Sequence, residues 1–176
     1  MEGADIEGGS DRRLNRLVAM TVVVLSIAMA LTKIKDDNIV QAMQMDKAAS
    51  VDTWSEYQAT RIKLHLTESL ASLRPAANDA ASANQIAKYE VESKALKLKA
   101  RALDADYDRQ GFRDDQFDLS DGFSSVALAV AAISALIESY GLLFFCWASG
   151  AIGIVMSIAG FAGLPIHPDA LVAFLT

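Results

Sequence analysis

The run DADYDRQGFRDD, residues 104–115, carries carboxylates in a pattern that could bind calcium. Asp104, Asp106 and Asp108 alternate, and Asp115 falls eleven residues after Asp104, the separation between the first and last ligands of a calcium loop. Arg109, however, stands where that loop needs a glycine for its sharp turn, so the run reads as an acidic, solvated helix end. His65 and His167 are the only histidines, and neither has a partner at metal-ligand spacing. Signatures of a catalytic nucleophile and phosphate-binding loops are both missing; GAIG at 150–153 has no strand leading into a helix. Cys146 is the single cysteine and lies in an apolar run, where a small buried thiol is the ordinary reading. These residues predict no metal, no cofactor and no enzyme.

The elements that carry them divide by hydropathy. From Asp36 to Asp118 there are 15 acidic and 11 basic residues, yet no Lys or Arg follows Arg113. A long stretch without basic side chains suits lipid, where a charge at the bilayer centre is costly. The net charge of −6 and the lack of a basic stripe with interleaved aromatics argue against nucleic acid. The expected class is all-α: an integral membrane protein with three transmembrane helices and a long antiparallel helical hairpin, of coiled-coil type, between the first and second.

After an N-terminal tail (1–13), the first expected span is 14–34, whose length covers roughly 30 Å, about one hydrocarbon core. Ser10 and Asp11 can cap its start. Its basic flank, apolar body and AMA at 28–30 also fit a signal peptide; we read it as an uncleaved signal anchor. The second and third spans, 119–137 and 142–164, are joined by ESYG, which forces an antiparallel pair and places Glu138 at a turn near the interface. Residues 165–176 read as an interfacial tail with a brief helix after Pro168 capped by Asp169.

Residues 35–118 form the expected extramembrane hairpin, with its turn near 74–79, where Pro75 breaks the outgoing arm. Gly111 offers a stop to the returning arm. Ile86, Tyr89, Ser93, Leu96, Ala100, Leu103 and Tyr107 alternate in steps of 3 and 4, a coiled-coil seam. The outgoing arm is less regular. Val40, Met43, Val51, Trp54 and Tyr57 suggest one stripe, and Ile62, Leu66, Leu70 and Leu73 a shifted one, so this arm can face both its partner helix and another chain. Trp54 and Tyr57 are either hairpin core or an anchor for a partner. Trp54, Tyr57, Ile62 and Leu66 are the expected partner-binding residues. Within the bilayer, Ser149, Gly153 and Ser157 recur every four residues, small enough for close helix approach either inside the chain or between subunits.

The segment KIKDDNIVQAMQMDKAASVDTWSEYQATRIKLHLTES, residues 33–69, resembles a family of uncharacterised bacterial inner-membrane proteins defined only as a domain of unknown function. The motif W-x-x-Y-Q-A-x-x-I-K-x-H-L is carried by Trp54, Tyr57, Gln58, Ala59, Ile62, Lys63, His65 and Leu66. The resemblance covers nearly the whole chain and implies architecture rather than activity. Family members often carry a basic turn between the last two spans, which this chain lacks. Arg12, Arg13 and Arg16 predict a cytosolic N-terminus and a periplasmic hairpin. The expected function is association: a homo-oligomeric scaffold or an accessory subunit of a larger membrane complex, in contact with membrane lipids. A channel or transport component, with Glu138 or the acidic hairpin base handling cations, is the alternative.

Overall fold

The computed structural model describes residues 3–73, 80–166, 168 and 172, with side chains from residue 12 onward. Three helices carry the chain: α1 (Gly3–Leu73), α2 (Ala80–Leu136) and α3 (Tyr140–Ala162). No strand occurs among the described residues. All three are long and apolar enough to cross a membrane. They contribute to two compact units, one of Met1–Val40 with Gly111–Thr176 and one of Gln41–Gln110.

The helices are longer than their apolar segments. α1 passes through Ser10 and Asp11 without a cap, and α2 passes through Gly111 without the expected stop. Glycine only permits a left-handed cap; within a helix it costs about 0.5–1 kcal/mol, which flanking contacts readily offset. No proline follows Gly111 to enforce an end, and hydrogen bonds hold the helix on both sides of it, from Gln110 to Asp46 and from Arg113 to Gly160. The expected hairpin turn at 74–79 and the positions of His167 and Asp169 lie outside the described residues.

In the first unit, Leu14, Val18 and Leu25 of α1 pack with Ala127 and Ala131 of α2 and with Leu143 and Cys146 of α3. Thr21 meets Trp147 and Thr32 meets Ser157, so α1 and α3 run in the same direction. Between α2 and α3 the partners descend as α3 rises, Ser124 against Gly153 and Phe117 against Gly160, which makes that pair antiparallel. Along the apolar segments of this unit many outward side chains are large and hydrophobic, including Val23, Val24, Ile27 and Leu31 of α1 and Phe144, Phe145 and Val155 of α3. An outward surface of this kind suits hydrocarbon rather than water.

The turn between α2 and α3 is tight. Glu138 is exposed there at φ 54, a left-handed conformation, and Ser134 ties the turn down by donating to the Ser139 carbonyl at 2.8 Å. α3 ends at Gly163, φ 64, whose left-handed conformation closes the helix by a backbone hydrogen bond to the Ala159 carbonyl.

The second unit pairs residues 41–73 of α1 with 80–110 of α2. All seven residues of the returning seam, Ile86 to Tyr107, are buried or half-buried. The matching face of α1 consists of Asp46, Ser50, Thr53, Tyr57, Thr60, Leu64, Thr67 and Ala71, again in alternating steps of 4 and 3. Ser50, Thr53, Thr60 and Leu64 are fully buried there. Small side chains along this seam let the two backbones approach closely, and two of its hydroxyls fold back on the helix: Thr53 donates to the Ala49 carbonyl at 2.7 Å and Thr67 to the Lys63 carbonyl at 2.8 Å.

Candidate interaction surface

The expected contact residues of the hairpin separate into two groups. Trp54 and Tyr57 are half-buried and touch each other edge to face, ring centroids 5.5 Å apart. Trp54 Nε1 donates to Asp104 Oδ2 at 3.1 Å, and Ser50 Oγ donates to Asp104 Oδ1 at 2.5 Å. Asp104 therefore holds α1 to α2 through two oxygens, and these two hydrogen bonds lower its pKa below the ordinary carboxylate value. The acidic run around it is helical throughout, so its alternating carboxylates point in different directions; Asp106 turns to Arg109 at 2.9 Å.

Two more contacts tie the same face. Gln110 donates to Asp46 at 2.6 Å, and Lys47 lies over the Tyr107 ring, 5.0 Å from its centroid. His65 is a surface residue between Arg61 and Glu68, at 3.1 Å from each.

Ile62 and Leu66 face the other way. With Leu70 they are 59–61% exposed, and they form the side of α1 opposite the seam. Leu73 continues the stripe. On α2, Val91 and Leu98 are likewise exposed, seven residues apart and opposite their own seam. The hairpin thus has an apolar stripe on each outer flank.

Ser149, Gly153 and Ser157 point into the three-helix unit. Ser149 Oγ donates to the Phe123 carbonyl at 2.8 Å, and the Ser157 and Thr32 hydroxyls meet at 2.7 Å. A side chain at Gly153 would collide with Ser124 Oγ and the Ser120 carbonyl. Their contacts are with α1 and α2 of the same chain, the close approach that small residues permit between helices in lipid. Outside this packing, α1 and α3 leave a groove of about 390 Å³ lined by Leu17, Met20, Val24, Trp147, Ala151 and Ile154.

Sequence reasoning did not single out the buried Asp36 and Gln116 or the half-buried Asp114. Asp36 is 4% exposed and Gln116 is fully buried, donating to the carbonyls of Leu164 and Ile166. Asp36 lies two residues beyond the apolar body of α1, and its burial follows from pairing with α2. No local spacing announces that pairing.

Among curated proteins no relative matches this chain, and no solved structure does. The family described as a domain of unknown function, DUF4337, matches residues 14–163, both compact units included. By that match the chain belongs to the DUF4337 family.

Proposed function

We propose that this protein is a non-catalytic scaffold or accessory subunit of a bacterial inner membrane, working by helix association. Residues 41–110 lie on the periplasmic side in this reading. The observation that carries it is the exposed stripe of Ile62, Leu66 and Leu70 on a helix whose opposite face is already satisfied by α2. Burying three such side chains supplies roughly 5–9 kcal/mol before costs. Association costs about 4–15 kcal/mol in lost freedom. One stripe alone is therefore marginal, and the second stripe at Val91 and Leu98 and the bilayer's confinement of both partners supply the difference. The buried hydroxyls of the three-helix unit support the same reading over a channel. Ser134, Ser149 and Ser157 are engaged within the chain, as packing contacts rather than as the lining of a pore.

The test is native mass spectrometry of the full chain extracted in mild detergent. Wild type is expected as a discrete multiple of 18.9 kDa or as a stoichiometric complex with other membrane subunits. The variant Ile62→Ser, Leu66→Ser, Leu70→Ser is expected to release monomer. A wild-type monomer with no bound protein would reject the proposal.

A further inference from the structure

Asp36 is the most deeply buried carboxyl group among the described residues, and half of it is without a donor. Its Oδ2 accepts from Lys33 Nζ at 2.7 Å, but its Oδ1 is enclosed and has no hydrogen-bond partner. Asp114, on α2, also has an enclosed Oδ1 with no partner. The two side chains are within hydrogen-bonding reach of each other, so acceptor faces acceptor across the α1–α2 contact. Two ionised carboxylates cannot hold this arrangement without repulsion added to desolvation, whereas one proton between them turns the clash into a hydrogen bond.

We propose that Asp36 and Asp114 form a proton-binding site at the membrane boundary of the three-helix unit, one proton being shared between the two carboxyl groups.

The surroundings favour a proton over a metal ion. Lys33 already places a full positive charge on Asp36 and reaches Asp37 at 3.4 Å, which opposes a second cation. No group of three or more His, Cys, Asp or Glu among the described residues is arranged to hold a metal ion. On α2, Asp115, Asp118 and Asp121 add negative charge. Arg113, the only basic residue on this part of α2, directs Nε to the Gly160 carbonyl at 3.0 Å. Of α3, only uncharged residues pack here: Gly160 lies against Phe117, whose ring meets Phe161.

Burial, the Asp36 carboxyl and the neighbouring negative charges raise the pKa of Asp114 to about 7. A raised carboxyl pKa means that the folded chain holds a proton which the unfolded chain has lost. The site's stabilisation is thus complete below the ordinary value of 3.8 and disappears as pH rises through about 7. At that point repulsion separates α1 from α2 beside the membrane, which makes the pair a sensor of local acidity.

Infrared spectroscopy of the full chain in lipid nanodiscs tests this. Wild type is expected to show the C=O stretch of a buried carboxylic acid at acidic pH, shifted by deuterium and lost with a midpoint near 7. Asp36→Asn and Asp114→Asn should each abolish the band, while Asp52→Asn, an exposed position on the hairpin, should retain it. The wild-type titration needs no variant, so misfolding of a variant does not decide the matter. A wild type with no protonated-carboxyl band, or a band that survives both substitutions, would overturn the proposal. Displacement of the band by calcium or magnesium at acidic pH would overturn it in favour of a metal site.

Discussion

Replacing Gly153 by alanine places a methyl carbon 2.5 Å from Ser124 Oγ, 3.0 Å from the Ser120 carbonyl oxygen and 3.2 Å from the Ser124 nitrogen. The serine hydroxyl can rotate away, but the two backbone atoms belong to α2 and move only if the helices separate. Overpacking of this kind costs about 1–3 kcal/mol. Alanine recovers about 0.5–1 kcal/mol of helix propensity, which leaves a net loss of roughly 0–2.5 kcal/mol and a gap of about 1–3 kcal/mol from Gly122→Ala, where only the gain applies. Gly122 supplies the internal control, since a methyl group there meets nothing within 4 Å. Gly122→Ala should be neutral or slightly stabilising. Equilibrium unfolding of the two variants in detergent, followed by circular dichroism, measures the difference. In a double-mutant cycle, Ser124→Ala should recover part of the Gly153→Ala loss, because it removes the nearest atom but not the Ser120 carbonyl. Equal stability of Gly153→Ala and Gly122→Ala would refute the close α2–α3 packing on which the bundle rests.

Other expectations use the same assays. Thr32→Val keeps the shape of the side chain but removes the partner of the Ser157 hydroxyl, and should destabilise by about 0.6–1.7 kcal/mol. Asp104 has a lowered pKa, so its contribution to the hairpin is complete above 3.8 and is lost as pH falls through its folded value; Trp54 fluorescence should stay constant near neutrality and shift red in acid. Asp104→Ala should give that red shift at neutral pH. Gly160→Ala forces its methyl group to within 2.6 Å of the Phe117 ring and should lower thermal stability more than Gly150→Ala, whose nearest neighbour is the Leu25 side chain at 3.1 Å.

The three long apolar helices and the turn at Glu138 were legible because sustained hydropathy marks a helix long enough to cross a membrane and a short connection leaves one topology. The returning seam from Ile86 to Tyr107 was legible because large side chains mark it. The outgoing seam was not. Its buried positions are Ser50, Thr53, Thr60 and Leu64, and small hydroxyls carry no hydrophobic signal. The eye is drawn instead to Ile62, Leu66 and Leu70, which point outward. Had the alternation of Ser50, Thr53, Tyr57, Thr60 and Leu64 been weighed by size rather than hydropathy, the seam would have emerged from sequence. Asp36 and Asp114 are a different case: they are 78 positions apart, and only the pairing of α1 with α2 brings them together. Gly111 misled because a glycine licenses a helix end without requiring one.

The central claim is that the outer stripe of α1 is covered by another protein chain. A photo-crosslinking amino acid in place of Leu66, activated in native membranes, tests it most directly. Discrete adducts at Leu66, and none when the probe replaces Glu56, an exposed polar position off the stripe, are the result this account predicts. No adduct at Leu66, or equal yields at both positions, would contradict it.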